Sequence, residues 1–218
     1  MQDLIIRNQT ITNKAMAESI CHTLSKPGKM PGHGYSIPAS KCKTGSKLAK
    51  IPGTPCYNCY GMKGRYRFKN VQTALMKRYL SLDHPQWVSA MTYLIAKTKD
   101  THFRWHDVGD IQDLNHLDNI CQVARNLPDV QFWLPTEERI LVKQYQQSSI
   151  IPDNLTIRIS SGKIDVCLTN TNYNTSSVVT TPLNAAGHLC PAPKQGNQCG
   201  TCRACWDKEV ANVSYLEH

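Results

Sequence analysis

From Ser19 to Leu82 the chain contains no aspartate and no glutamate. The same stretch carries twelve cations, Lys26, Lys29, Lys41, Lys43, Lys47, Lys50, Lys63, Arg65, Arg67, Lys69, Lys77 and Arg78, almost half of the 25 lysines and arginines. A block with no internal counter-charge excludes a self-neutralised surface and attracts anions. The candidates are nucleic-acid phosphates, a phosphorylated or carboxylated small molecule, and a negatively charged cluster held by the interspersed cysteines. A long apolar run is also missing, which excludes a membrane-spanning helix as a reading of the sequence. The opening Met1-Gln2-Asp3-Leu4-Ile5-Ile6-Arg7 lacks the basic start, apolar stretch and small-residue cleavage site of a secretory leader. The expectation is a cytoplasmic protein with no membrane partner. No internal repeat and no recognisable DNA- or RNA-binding motif accompanies the basic block. Sequence does not specify an oligomeric state.

What the chain does have is cysteine, ten in 218 residues. In a reducing cytoplasm that number argues for metal binding over a disulfide framework. Seven fall into two groups, Cys42, Cys56 and Cys59 near the front and Cys190, Cys199, Cys202 and Cys205 near the end, and the second contains C-x2-C-x2-C. Two-residue gaps let successive sulfurs converge on one centre while the intervening turns aim backbone N–H groups at the thiolates. Zinc more often joins two separated C-x2-C knuckles and is the alternative metal. The tail cysteines stand among Gly, Gln, Asn and Pro, with no core to pack against. Cys21, Cys121 and Cys167 stand alone and read as ordinary buried cysteines.

The chain reads as a single domain, 1–215, with a loop-rich basic cysteine segment over 1–65, an α/β core over 66–182 and a cysteine-rich tail over 183–210. Residues 216–218 resemble a tag remnant. Lys26-Pro27-Gly28, Pro31-Gly32-His33-Gly34 and Pro52-Gly53-Thr54-Pro55 punctuate the first segment with turns. In the core, helical spacing is expected over 71–82, 85–97, 113–126 and 137–147. Strand patterns are expected over 101–106, 130–134 and 155–160, with one more short strand over 177–181. Strand and helix in alternation imply βαβ units and a parallel sheet, here a partial or irregular parallel (βα) barrel.

Parallel sheets place ligands at the carboxyl ends of their strands. After the first core strand come His106, Asp107, Gly109 and Asp110. His106 and Asp107 are the candidate catalytic pair, for proton transfer or for holding an amine or hydroxyl. Gly109 would let a cofactor approach the backbone closely. After the second strand come Thr136, Glu137 and Glu138, and after the third Ser160 and Ser161. Asp113 and Thr136 read mainly as helix caps. Tyr57 and Tyr60, beside Cys59, are candidates for stacking on a base or an adenine ring. His33, between glycines, is a candidate extra metal ligand. His22, His84, His102, His116 and His188 read as surface or core residues.

Four strings carry a family resemblance: Lys47 to Tyr60 (KLAKIPGTPCYNCY), Lys63-Gly64-Arg65-Tyr66, Arg104 to Asp110 (RWHDVGD), and Cys199 to Trp206 (CGTCRACW). In this order they resemble phage and mobile-element proteins that carry the gene product 88 domain. The resemblance implies a phage or prophage setting and a metal-bearing site. A more distant likeness is to radical S-adenosylmethionine enzymes, which place a three-cysteine cluster at the mouth of a partial (βα) barrel and often add a second cluster in a cysteine-rich tail. By that likeness the three front cysteines would leave one iron open for S-adenosylmethionine, and the four tail cysteines would saturate a second site. The spacing departs from that family's C-x3-C-x2-C, because Cys42 stands fourteen positions before Cys56.

The reading is an iron-sulfur protein with one or two [4Fe-4S] clusters that performs cluster-dependent chemistry on a small molecule or nucleotide. The alternative is a non-catalytic zinc- or cluster-stabilised protein that binds nucleic acid through residues 19–82. A third division lets Cys56 and Cys59 share a site with tail cysteines.

Overall fold

A computed structural model describes residues 10–168 and 171–217. The opening residues read for a leader, and His218 of the suspected tag, lie outside these. Seven strands form one sheet in the order β1-β2-β3-β4-β5-β7-β6, and every neighbouring pair is parallel. They are β1 (Gly34–Tyr35), β2 (His102–Trp105), β3 (Gln131–Thr136), β4 (Leu155–Ser160), β5 (Asn174–Val179), β6 (His188–Leu189) and β7 (Asn212–Leu216). The helices are α1 (Lys14–Cys21), α2 (Lys43–Leu48), α3 (Lys69–Leu80), α4 (Trp87–Thr98), α5 (Leu114–Asn126) and α6 (Arg139–Ser148). None is long and apolar enough to cross a membrane.

Alternation along each strand separates two faces. Phe103, Trp105, Phe132, Leu134, Leu155, Ile157 and Ile159 point outward into a core completed by Trp87, Met91, Leu117, Ile120 and Val142 from the helices. Trp87 and Trp105 stack with ring centroids 5.9 Å apart, an aromatic contact worth ~1 kcal/mol beyond its buried area. Helix starts follow sequence chemistry: Asn13 accepts the Met16 N–H at 2.9 Å, and Asp113 accepts that of His116 at 2.8 Å.

The opposite face is concave. In a flat sheet the three strand spacings from β3 to β7 would hold their residues roughly 14 Å apart. Yet the rings of Trp133 and Tyr215 lie 6.4 Å apart, so the sheet curls and its inner side chains meet. The curl stops short of closure between β1 and β6. The gap is bridged by the Cys199 N–H, which donates to the Lys29 carbonyl at 2.9 Å. The expected partial barrel is therefore the observed one.

The core strands and helices fall within a few residues of their sequence patterns. Differences cluster at the ends. The loop-rich first segment also contains α1 and α2, and the expected strand over 177–181 begins earlier, at Asn174. β7 was not anticipated. Leu216, expected to be tag, ends β7, and the Glu217 N–H donates to Val179 at 2.9 Å. Residues 212–216 alternate as a strand should, but Asn, Ser and Tyr make the pattern too polar to stand out. Thr175, Ser177, Asn212 and Ser214 are nonetheless buried, and bond to one another across β5 and β7.

Arg158, in β4, is fully buried under the tail. Its guanidinium donates to the carbonyls of Cys205, Thr175, Val210, Ala204 and Asp207 at 2.7–3.2 Å. Arg158→Met should lower the unfolding free energy by about 3 kcal/mol or more, since each buried carbonyl deprived of a charged donor costs ~1–3 kcal/mol. Equilibrium unfolding in urea measures this. An unchanged midpoint would show that the tail does not depend on the arginine.

Candidate functional site

The front cysteines lie at the carboxyl ends of β1, β2 and β3. Cys42 precedes α2, and the Cys59 N–H donates to the Cys56 carbonyl at 3.2 Å, so C-x2-C folds as one turn. Gly45 permits their approach. A Cβ on it would stand 3.0 Å from Cys42 Cβ, 3.5 Å from Cys56 Sγ and 3.7 Å from Cys42 Sγ, so both sulfurs flank one point. Burial pushes the Cys42 thiol up, with Asp110, Cys59, Cys56 and Glu138 adding to the effect. Burial, Glu137 and Cys59 carry Cys56 up to about 12. Cys42 and Cys56 thus share one acidic, desolvated pocket, with Cys59 beside them.

The acids come from the strand ends. Asp110, 5 % exposed, accepts from the Thr136 hydroxyl at 2.6 Å and from the backbone N–H groups of Glu137 and Ile111, both at 2.8 Å. Burial still outweighs these donors and holds it at about 7. Glu138 accepts from the Thr44 N–H at 2.7 Å and from the Thr44 hydroxyl at 2.9 Å, which fixes the start of α2. Glu137 is raised to about 8 by burial and then by Asp110. Thr136, read as a helix cap, instead ends β3 and accepts the Glu138 N–H at 2.9 Å; Glu138 is the residue that precedes α6.

The tail enters the concave face across the amino ends of the strands. The Trp206 indole N–H donates to the Phe103 carbonyl at 2.9 Å, and the Thr156 hydroxyl donates to the Trp206 carbonyl at 2.7 Å. Its own C-x2-C turn closes with the Cys202 N–H on the Cys199 carbonyl at 3.0 Å. Cys199 is raised by burial, Cys190 and Cys202. Cys190 is raised by burial and Cys202. Burial carries Cys205 up to about 11, against Tyr215, whose hydroxyl is 3.1 Å from Sγ, and against Arg104 and Arg158. The His188 Nε2 lies 3.3 Å from Cys202 Sγ. All ten cysteines are free of disulfides. Among the described residues, no three His, Cys, Asp or Glu side chains are already drawn into metal-binding geometry.

The remaining candidates divide. Asp107 is tied to the front loop: Tyr66 donates to Oδ2 at 2.7 Å, Tyr60 donates to its carbonyl, and Oδ1 has no partner. His106 is 2 % exposed, at φ 52°, with its ring 5.3 Å from that of His116 and no partner for either nitrogen. Burial and the neighbouring His116 hold it well below the usual imidazole range, so it is a neutral ring. Gly109, at φ 85°, faces its own chain, because a Cβ would meet Ile37 at 2.4 Å. Tyr57 is half exposed and lines a cleft with Asn58, Ile164, Asp165 and Thr180. Tyr60 is half exposed beside Tyr66. His33 is occupied by Asp100 at 2.5 Å.

Sequence reasoning missed Arg104, Arg158, Tyr215 and His188. Arg104 and Arg158 occupy strand positions whose alternation reads as solvent-facing. The H-x-C step from His188 to Cys190 was a usable signal.

Glu137 and Asp110 have raised folded-state pKa values, so the folded protein binds protons that the unfolded chain releases. In metal-free protein their contribution is present below about pH 4.5, the ordinary carboxylate range, and is lost as pH rises through about 7 to about 8. Urea midpoints should therefore fall across that window, and Glu137→Gln should flatten the fall. A midpoint rising with pH in both proteins would contradict the placement of these acids.

Neither a curated protein nor a solved structure matches the chain. A family model, gene product 88, matches residues 5–208, and spans the front cysteines, the sheet up to β6 and the whole cysteine tail. The chain belongs to the gene product 88 family, a phage-type family.

Proposed function

We propose that this is a cytoplasmic iron-sulfur protein whose two thiol groups hold [4Fe-4S] clusters at opposite ends of a concave sheet face, where it acts on a small molecule or nucleotide. One observation carries the proposal: cysteines separated by more than a hundred residues of α/β core gather into two groups flanking the same face. Soft thiolates in C-x2-C turns suit iron-sulfur clusters, with zinc as the alternative metal. When bound, such clusters supply one-electron chemistry. The chain itself supplies the rest. Gly45 lets the front sulfurs converge, Asp110 and Glu138 fix the loops around them, and Arg158 seats the tail. The likeness to radical S-adenosylmethionine enzymes draws its support from the partial parallel barrel and the three-plus-four cysteine count, with the long Cys42-to-Cys56 interval as its departure. S-adenosylmethionine would then belong to the front group, within reach of Tyr57 and Tyr60.

Protein purified without oxygen should contain iron and acid-labile sulfide. Cys56→Ser should remove about half of the iron and leave thermal stability nearly unchanged. Cys202→Ser should remove the remainder and lower the melting temperature, because a polar tail depends on its ligand for order. Zinc without sulfide would overturn the cluster reading.

A second reading has its own observation. Around the front cysteines, Tyr57, Tyr60, Met62 and Phe68 are at least half exposed, interleaved with exposed Lys47, Lys50, Lys63, Arg65, Arg67 and Lys69. Exposed rings among cations with no carboxylate partner suit single-stranded nucleic acid. Short single-stranded DNA and RNA should bind with affinity falling steeply from low to moderate salt, and Arg65→Gln with Arg67→Gln should reduce the salt slope by about 1–2. No binding at low salt would remove this reading.

A further inference from the structure

Two arginines reach the concave face from adjacent regions of the sheet, and they are used differently. Arg158 spends every nitrogen on backbone carbonyls. Arg104, in β2, has its Cζ over the Trp133 ring, 4.3 Å from the centroid. Its Nη1 meets the Met30 sulfur, at 3.6 Å, the Tyr60 side chain lies within hydrogen-bonding reach of the guanidinium, and its Nε is buried without a partner. The ion pairs among the described residues are Lys14–Glu18 and His33–Asp100, so no carboxylate closes on Arg104. A guanidinium is a rigid fork of donors matched to carboxylate and phosphate, and contact with an indole face restrains it without consuming those donors. The first arginine holds the fold together; the second is prepared for something else.

Its surroundings indicate where that partner would sit. Tyr60 and Asp107 approach Arg104 from the front side, and Tyr215 and Cys205 from the tail side; Cys199 also lies within its electrostatic reach. Arg104 is therefore the cation between the two thiol groups, on the face that both flank. Asp107 does not neutralise it, because one carboxylate oxygen is taken by Tyr66 and neither forms an ion pair.

We propose that Arg104 is the recognition group for an oxyanion, a carboxylate or a phosphate, on a small molecule held on the concave face between the thiol groups. This rests on the proposed function for its location but not for its metal: the guanidinium binds the anion whichever metal the thiols hold. Trp133 would restrain the fork, and Tyr60 and Tyr215 would border the bound group.

The test uses full-length protein purified without oxygen and titrated calorimetrically with inorganic phosphate and with succinate at constant ionic strength. Wild type should bind at least one of them saturably. Arg104→Gln should weaken that binding at least tenfold, Arg104→Lys should fall between, and both should keep wild-type metal content. Lys143→Gln, exposed on α6 and outside the basic block, should bind as wild type does. The absence of saturable binding by wild type, unchanged binding in Arg104→Gln, or equal loss in Lys143→Gln would each overturn the proposal. So would loss of tail metal with anion binding intact, which would make Arg104 a counter-charge for the tail thiolates. If the variants do not fold, phenylglyoxal labelling of wild type decides: phosphate or succinate should protect Arg104, and unprotected labelling would overturn the assignment. A zinc-containing protein that passes these tests would refute the cluster reading and leave this one standing.

Discussion

The structure depends on one buried cation. Moving a guanidinium out of water costs several kcal/mol even after relaxation, and Arg158 has no carboxylate to offset that cost. Five carbonyls offset it instead, at ~1.5–3 kcal/mol for each hydrogen bond to a charged group. Four of the five, from Ala204, Cys205, Asp207 and Val210, belong to the tail. The tail contributes few apolar side chains of its own; Trp206 is the one it buries well. Its backbone is thus held by charge-assisted bonds to a strand, and the position of Cys205 follows from β4.

Curvature is the second constraint, and it follows from what fills the two faces. Helices α4, α5 and α6 cover the convex side with large apolar residues, while the concave side carries His102, Arg104, Trp133, Arg158 and Tyr215. These meet the descending tail. The same curl that lets Trp133 approach Tyr215 brings the thiols after β1 and those after β6 to one face. Neither group could be assembled by local sequence alone, since Cys42 is separated from Cys56 by α2 and its turns, and Cys190 from Cys199 by a Pro- and Gln-rich loop.

How far the sequence disclosed this depends on burial. Helices with Leu117, Ile120 and Ala124 on one side, and strands with Phe103 and Trp105 alternating against polar residues, announce themselves because one face meets a core. β5 and β7 do not, because Thr175, Ser177, Asn212 and Ser214 satisfy each other by hydrogen bonds and look like loop. The cysteine groups were legible from spacing. The strand-end rule led to Asp107 and Asp110, yet it could not say that Asp110 faces the front thiols while the His106 ring packs on His116. A lone arginine in a strand carries no local mark of facing inward; only the sheet's curl supplies it.

The two thiol groups sit in opposite fields. Asp110, Glu137 and Glu138 surround the front sulfurs, whereas Arg104, Arg158 and Arg203 lie near those of the tail. Nearby cations stabilise a more negative centre and nearby carboxylates disfavour it. On the proposed reading, Cys42 and Cys56 would hold their group in a field that disfavours added negative charge, and Cys199 and Cys205 would hold theirs in one that favours it. Burial is the larger influence at both ends: it raises Cys42 and Cys56 at the front and Cys199 and Cys205 in the tail, and the arginines offset it only in part at Cys199 and Cys205. The space between the two thiol groups, bordered by Arg104 and Asp107, is where these opposed fields meet, and a ligand bound there would lie within both.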